Sequence, residues 1–328
     1  MNHDEVLLAV KNARVEKFVS YTVTSDLFDP DGSFEMTFYP GYDIKKGDAC
    51  EIYVNRRVEL VGIITSVKRS TSRSGRTMTV SGKSIAWLLS ASCVTKFETL
   101  PVTLKDIVER LVRPIPFIGK KDFEYRGKSA KASVNRKFVE LSPGDTVFDV
   151  IKRAANSQGY IFYAASNGTF VFDNVPERGD NKFKIGGHGE FNYIEGSVDN
   201  TIEDCHSDII VMGEYQDDDD VKYVKVSIQN KDFPFKMPFV VSWNENEGPA
   251  KKTAELRLAV EKSQAVQLEY TMQGHSQNGK NWEINAFAQV EDPSNGIEGR
   301  YLIKSRTFSL DRDNGKTTHL SLQLGGSL

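Results

Sequence analysis

Ser20-Tyr21-Thr22-Val23-Thr24 and Phe34-Glu35-Met36-Thr37-Phe38 are two runs rich in β-branched and aromatic residues, with Asp31-Gly32 standing between them. Alternating polarity puts one face of each run in a core and the other in water, and Asp-Gly suits the positive backbone angles of a tight hairpin. The same grammar continues outward. Val6 to Val10 reads as a first strand, and Ala49 to Val54, Leu60 to Val67 and Met78 to Ser81 extend the meander, the last two joined by a polar loop from Lys68 to Arg76. Short strands separated by turns predict a sandwich or barrel.

Past Cys93 the pattern turns helical. Thr103 can cap a helix through the amide of Asp106, and Leu104, Ile107, Val108, Leu111 and Val112 share one face before Pro114 and Pro116 end the run. Thr146 and Asp149 open a second helix, with Val147, Ile151, Ala154 and Ala155 on its apolar face and Gly159 as its exit. Tyr160 to Tyr163 and Thr169 to Phe172 then flank Asn167-Gly168, a strong hairpin signal. Lys184 to Glu190 reads as a glycine-rich link.

The last third returns to strands. Ile209 to Glu214 and Val221 to Ile228 bracket the acidic turn Asp217 to Asp220, and a helix starting at Pro249 runs to about Gln264. Val266 to Met272, Trp282 to Val290, Tyr301 to Leu310 and Thr318 to Leu324 follow, with bends at Asn278-Gly279, Asn295-Gly296 and Asn314-Gly315. The chain thus reads as mixed and β-rich, with N-terminal β-barrel residues 1–95, an α+β region at 96–190 and a second β-barrel region with one helix at 191–328. A faint echo links the ends. Thr65-Ser66-Val67-Lys68 precedes Gly75-Arg76-Thr77, and Lys304-Ser305-Arg306-Thr307 precedes Gly315-Lys316-Thr317, with serine-to-glycine spacings of nine and ten. From these residues alone, two unrelated hairpins explain it equally well.

Length and charge narrow the function. At 328 residues the chain suits two or three domains at roughly 100–200 residues each. A net charge of −3 offers no basic excess for a phosphate backbone, so specific nucleic-acid binding is not expected. No run of about 18 apolar residues occurs, so no helical membrane insertion is expected. Cys50, Cys93 and Cys205 are odd in number and far apart, which suits synthesis in a reducing cytoplasm.

Candidate chemistry is thin. His3, His188, His206, His275 and His319 fall in no catalytic or zinc-ligand spacing. Cys205-His206 is the one adjacent pair of soft ligands, and neighbours on a strand point to opposite faces, so a buried cysteine beside a surface histidine is the better reading. Asp217 to Asp220 lacks the ligand alternation and glycine of a calcium loop. Gly186-Gly187-His188-Gly189 lacks the Lys-Ser/Thr of a phosphate loop and has no helix behind it. No Gly-x-Ser-x-Gly elbow occurs. No enzyme activity, cofactor or metal is expected. Aromatic residues cluster in the last third, and Phe233-Pro234-Phe235-Lys236-Met237-Pro238-Phe239 is the best interface candidate, because its prolines keep it out of a central strand. Phe233, Phe235 and Phe239 are the interface residues expected there.

Three stretches carry a resemblance. They are Asp145 to Ile151 with Gly159 to Phe162 and Gly168 to Phe172; the charged helix ending in Val266 to His275; and Trp282 to Asn285 with Tyr301 to Ser305 and Thr318 to Leu322. In this order and spacing the chain resembles the Mu-like phage tail protein P and late control protein D family of baseplate hubs. The resemblance implies two related β-barrel domains per chain and a homotrimeric ring that adapts a six-fold tail tube to a three-fold spike. It also implies a tail tube protein or tube initiator, a spike and baseplate wedge proteins as partners. With the sequence ending at Leu328, the spike is expected as a separate polypeptide. The protein would reside in the tail baseplate of the virion after assembly in the bacterial cytoplasm. The competing reading is a trimeric carbohydrate-binding or adhesin-like β protein of a tail tip, which exposed tryptophan and tyrosine around a groove would favour.

Overall fold

The computed structural model describes residues 4–325 apart from 12, 74, 96–97, 100–102, 116, 119–121, 127–139, 159, 175–180, 188–191, 218–219 and 244–246. Strands β1 (Val6–Val10), β2 (Ala13–Val15), β3 (Ser20–Asp26), β4 (Ser33–Phe38), β5 (Ala49–Val54), β6 (Arg57–Ser72) and β7 (Gly75–Ser84) come first. Then come α1 (Trp87–Ala91), β8 (Glu98–Thr99), α2 (Leu104–Leu111), β9 (Phe123–Tyr125), β10 (Glu140–Leu141), α3 (Val147–Asn156), β11 (Tyr160–Ala164) and β12 (Phe170–Asn174). The remainder comprises β13 (Asn181–Gly186), β14 (Glu195–Asn200), β15 (Asp208–Asp217), β16 (Asp220–Gln229), β17 (Pro238–Trp243), α4 (Glu247–Ala265), β18 (Val266–Gln273) and β19 (Ser276–Gln277). It ends with β20 (Lys280–Asn281), β21 (Phe287–Asp292), β22 (Ile297–Asp311) and β23 (Gly315–Leu324). The fold is β-rich and multidomain in character, with several sheets and few helices.

A 13-stranded sheet joins both ends of the chain. Its order is β14-β18-β23-β22-β3-β4-β7-β6-β5-β1-β2, with β21 branching from β22 and β13 pairing β21. The antiparallel contact of β22 with β3 is the junction. One core therefore draws on both ends, with Leu8, Val23, Met36 and Ile52 packed with Tyr270, Ile303, Phe308 and Leu320. The middle region has its own core. Thr103 and Thr146 cap α2 and α3 by accepting from the amides of Asp106 and Asp149, and the buried faces of both helices pack with Phe162, Phe170 and Phe172. Both caps, and the Asn167-Gly168 turn with Gly168 at φ 81, follow the sequence pattern.

Four local expectations fail for physical reasons. Residues 27–32 form a longer loop in place of a two-residue turn at Asp31-Gly32, because the Asp26 carboxylate accepts from the amides of Phe28 and Asp29, and Asp29 from that of Asp31. Lys68 to Arg76 is not a loop. The β6–β7 ladder continues to Ser72↔Gly75, and its residues are polar because a hairpin that outruns its core is wet on both faces. Trp282 to Ala286 is not strand, since Asn285 adopts φ 60 and Trp282 turns inward against Phe183 at 4.6 Å between ring centroids. Lys184 to Gly186 is not a link but the end of β13, parallel to β21, where a Cβ on Gly186 would lie 2.1 Å from the Glu291 carbonyl oxygen. His188, Gly189 and Glu190 lie outside the described residues, as do Pro116 and Gly159.

The echo between the ends is a correspondence of whole ladders. In sequence order β1, β3, β4, β5, β6, β7 match β13, β14, β18, β21, β22, β23, and the two sets share one spatial order, β3-β4-β7-β6-β5-β1 against β14-β18-β23-β22-β21-β13. Both long hairpins shift register at the echoed motif. The shift falls between Ile64 and Ser66 in one and between Ile303 and Ser305 in the other. Immediately beyond it Ser66 pairs with Ser81, and Ser305 with Ser321. Glu35 and Glu269 stand opposite those second serines. The amides of Val19 and Ile194 donate to the carbonyls of Thr37 and Thr271, both at 2.7 Å. One difference remains, since β1 is antiparallel to β5 whereas β13 is parallel to β21.

Candidate assembly surface

A polar seam fastens the two terminal regions. Arg306, fully buried on β22, donates to Glu59 on β6 at 2.7 Å and to the Trp282 carbonyl, and its guanidinium lies 4.1 Å from the Phe308 ring centroid. β22 and β6 are four places apart in the sheet, roughly 19 Å if the sheet were flat, so this contact requires the sheet to roll. Asn281 donates to Glu59 at 2.6 Å and to the Val54 carbonyl at 2.8 Å, and Asn55 donates to Asp4 at 2.8 Å. The buried His275 ring stands 2.7 Å from the Tyr21 hydroxyl and 3.2 Å from that of Thr318, and its amide donates to Asp4. Burial holds its pKa down at about 4, so the ring is neutral and serves as a structural tie. Sequence reasoning missed this seam, because its members are scattered and each looks ordinary alone.

The other candidates resolve into structure. Cys205 is buried with its thiol toward the Glu261 carbonyl, and His206 is half-buried, its Nδ1 3.0 Å from the Glu261 carboxylate, which Arg257 also approaches at 2.8 Å. Burial pushes the Cys205 thiol pKa up, and it raises that of Cys50 to about 12. Asp217 and Asp220 close the β15–β16 ladder, and Asp218 and Asp219 lie outside the described residues. Among the described residues no group of three or more His, Cys, Asp or Glu could hold a metal, and no helix is long and apolar enough to cross a membrane.

The three phenylalanines divide. Phe239 lies in β17, an edge strand of the sheet β16-β15-β17 that begins at Pro238, and it is half-buried between His206 and the Arg257 guanidinium, 4.7 Å from its ring centroid. Phe233 and Phe235 meet edge to face at 4.9 Å, and Phe235 is 54% exposed. One face of this sheet, with Ile209 and Val211, is buried with Ala250 and Ala254 of α4. The opposite face leaves Met212, Tyr223 and Val240 exposed.

The long hairpins also differ at their outer edges. Residues Ser305 to Leu310 of β22 are covered by β3, whereas the matching part of β6, from Ser66 to Thr71, pairs among the described residues only with β7 and is exposed except for half-buried Val67. That hairpin carries exposed Lys68, Arg69, Arg73 and Arg76. At the other end of the sheet β14, with exposed Glu195 and Asp199, pairs among the described residues only with β18.

Residues 5–84, which contain β1 to β7, match the family model described as Mu phage baseplate assembly protein GpP-like, N-terminal. The resemblance to the Mu-like baseplate family holds. The tail protein from Neisseria meningitidis MC58 superposes with a TM-score of 0.84 at 21% identity, covering 98% of this chain and 96% of its own. The 43 kDa tail protein of prophage MuSo2 from Shewanella oneidensis does so with a TM-score of 0.81 at 19% identity, covering 98% of each chain. An E. coli type VI secretion system component, described as structurally similar to T4 tail proteins gp27 and gp5, gives 0.63 at 13% identity over 96% of this chain and 76% of its own. No curated protein sequence matches the chain.

Proposed function

We propose that this protein is a structural component of a phage-type tail baseplate, acting as the hub in which three copies form a ring between a six-fold tube and a three-fold spike. The observation that carries this reading is the repeated ladder. A chain with two similar sheet units offers two similar surfaces, and three chains offer six, which is what a symmetry adaptor must present. The Mu-like family match over residues 5–84 supports the setting. The division into an N-terminal unit at 1–95, a middle unit at 96–190 and a C-terminal unit at 191–328 belongs to this proposal, with the middle unit outside the ring. Tube or tube initiator, spike and wedge proteins are the proposed partners, and the segment carrying half-buried Phe233 and exposed Phe235 is the proposed contact for one of them. The adhesin-like reading calls for exposed tryptophan and tyrosine clustered around a groove, whereas Trp243 and Trp282 are buried, Trp87 is half-buried, and the exposed Tyr39 and Tyr223 follow β4 and lie in β16 respectively. Native mass spectrometry at micromolar concentration tests the hub reading. A trimer is expected, and a clean monomer would overturn it.

A further inference from the structure

We propose that residues Ser66 to Thr71 of β6 pair antiparallel with β14 of a second copy, in the register by which β22 pairs with β3 inside each chain. This proposal rests on the ring reading above and names the surface that would close the ring. The ladder correspondence makes β6 the counterpart of β22 and β14 the counterpart of β3. Within the chain the β22–β3 contact is made. Its counterpart would join two strand edges that, among the described residues, have one partner each, and these lie in different parts of the sheet.

The register follows residue by residue. Thr307 is opposite Thr24, with hydroxyl oxygens 3.0 Å apart, so the two side chains share a face. The residue matching Thr307 is Lys68, three positions past the register shift, and the residue matching Thr24 is Asp199. A lysine therefore meets an aspartate where the internal contact has two threonines, and opposite charges directly across a ladder are favourable. Arg69 would stand opposite Val198, and Ser70 opposite Ser197. Basic residues on a bare edge also guard against unwanted pairing, but such a guard has no need of an acidic strand in matching register. Each copy presents one edge of each kind, so the contact is head to tail and closes into a ring when the rotation permits.

The test places Lys68→Cys and Asp199→Cys together in a Cys93→Ser background, since Cys93 is exposed whereas Cys50 and Cys205 are buried. Mild oxidation of the full chain should give cross-linked dimers and trimers on a non-reducing gel, and neither single cysteine variant should give them. Native mass spectrometry of the reduced protein is run beside it. A trimer that forms no cross-link overturns the pairing and leaves the hub reading standing, whereas a monomer overturns both. In a second arm, Lys68→Asp and Asp199→Lys should each weaken association by about threefold or more per interface, and the double exchange should restore it. Failure of the double exchange to restore association overturns the Lys68–Asp199 register.

Discussion

At one register position the N-terminal ladder sets Phe34 against Gly82, and at the matching position the C-terminal ladder sets Leu268 against Leu322. One strand further, Tyr21 opposes Met36 in the first ladder, while Gly196 opposes Tyr270 in the second. The glycines make room for rings. A Cβ on Gly82 would sit 2.3 Å from Phe34 Cζ, and one on Gly196 would sit 2.6 Å from Tyr270 Cε1. What the two regions share is therefore backbone register, while the individual residues, and the volume at each opposed pair, have changed.

The largest test of the comparison is at the seam. Arg306→Ala strands the Glu59 carboxylate in the interior and should cost about 3–5 kcal/mol in urea unfolding, whereas Arg306→Met with Glu59→Leu should cost much less. A loss below about 1 kcal/mol for the single variant would mean that the seam does not hold the two regions together. The seam should also respond to acid. Tyr21 on β3, Thr318 and Lys316 on β23, Arg306 on β22 and Asp4 ahead of β1 surround the His275 ring. Its folded pKa of about 4 lies below the ordinary 6.5, so the unfolded chain takes up the proton first as pH falls. Stability is full above 6.5, is lost between 6.5 and 4, and levels off below. That loss is at most about 3 kcal/mol, and His275→Gln should flatten this part of the profile.

Volume exchange gives a smaller effect and a sharper reading. Gly82→Leu alone should destabilise by about 2 kcal/mol or more, because its Cβ would meet both the Phe34 ring and, at 2.5 Å, the Ile63 carbonyl oxygen. Adding Phe34→Leu recreates the Leu268–Leu322 pair and should recover only the share of that loss owed to the ring, which a double-mutant cycle measures. Additive losses would show that the two ladders are not interchangeable at this position. The smallest expected effect is at Phe235. Phe235→Asp should change stability by less than about 0.5 kcal/mol, since the side chain is mostly exposed, while impairing assembly with its partner in a pull-down. Unimpaired assembly would remove Phe235 from the proposed contact.

Local signals in the sequence determined much of the fold. Period-two runs located β1, β3, β4, β5, β18 and β23, and threonine caps with apolar stripes located α2 and α3, because each rests on backbone geometry within a few residues. The turn glycines Gly75 and Gly315 and the serines Ser66 and Ser305 also carried the first trace of the repeat. Tertiary structure alone decided whether that trace meant anything, since register between strands is a relation among distant residues. It decided that Lys68 to Arg76 is a hairpin standing clear of the core, a place where polarity no longer distinguishes strand from loop. It brought Arg306 to Glu59 and His275 to Tyr21, contacts that local pattern cannot encode because the rolled sheet creates them. Among the described residues it also left β6 and β14 with bare edges, and whether an edge is bare depends on which strands the rest of the fold has already paired.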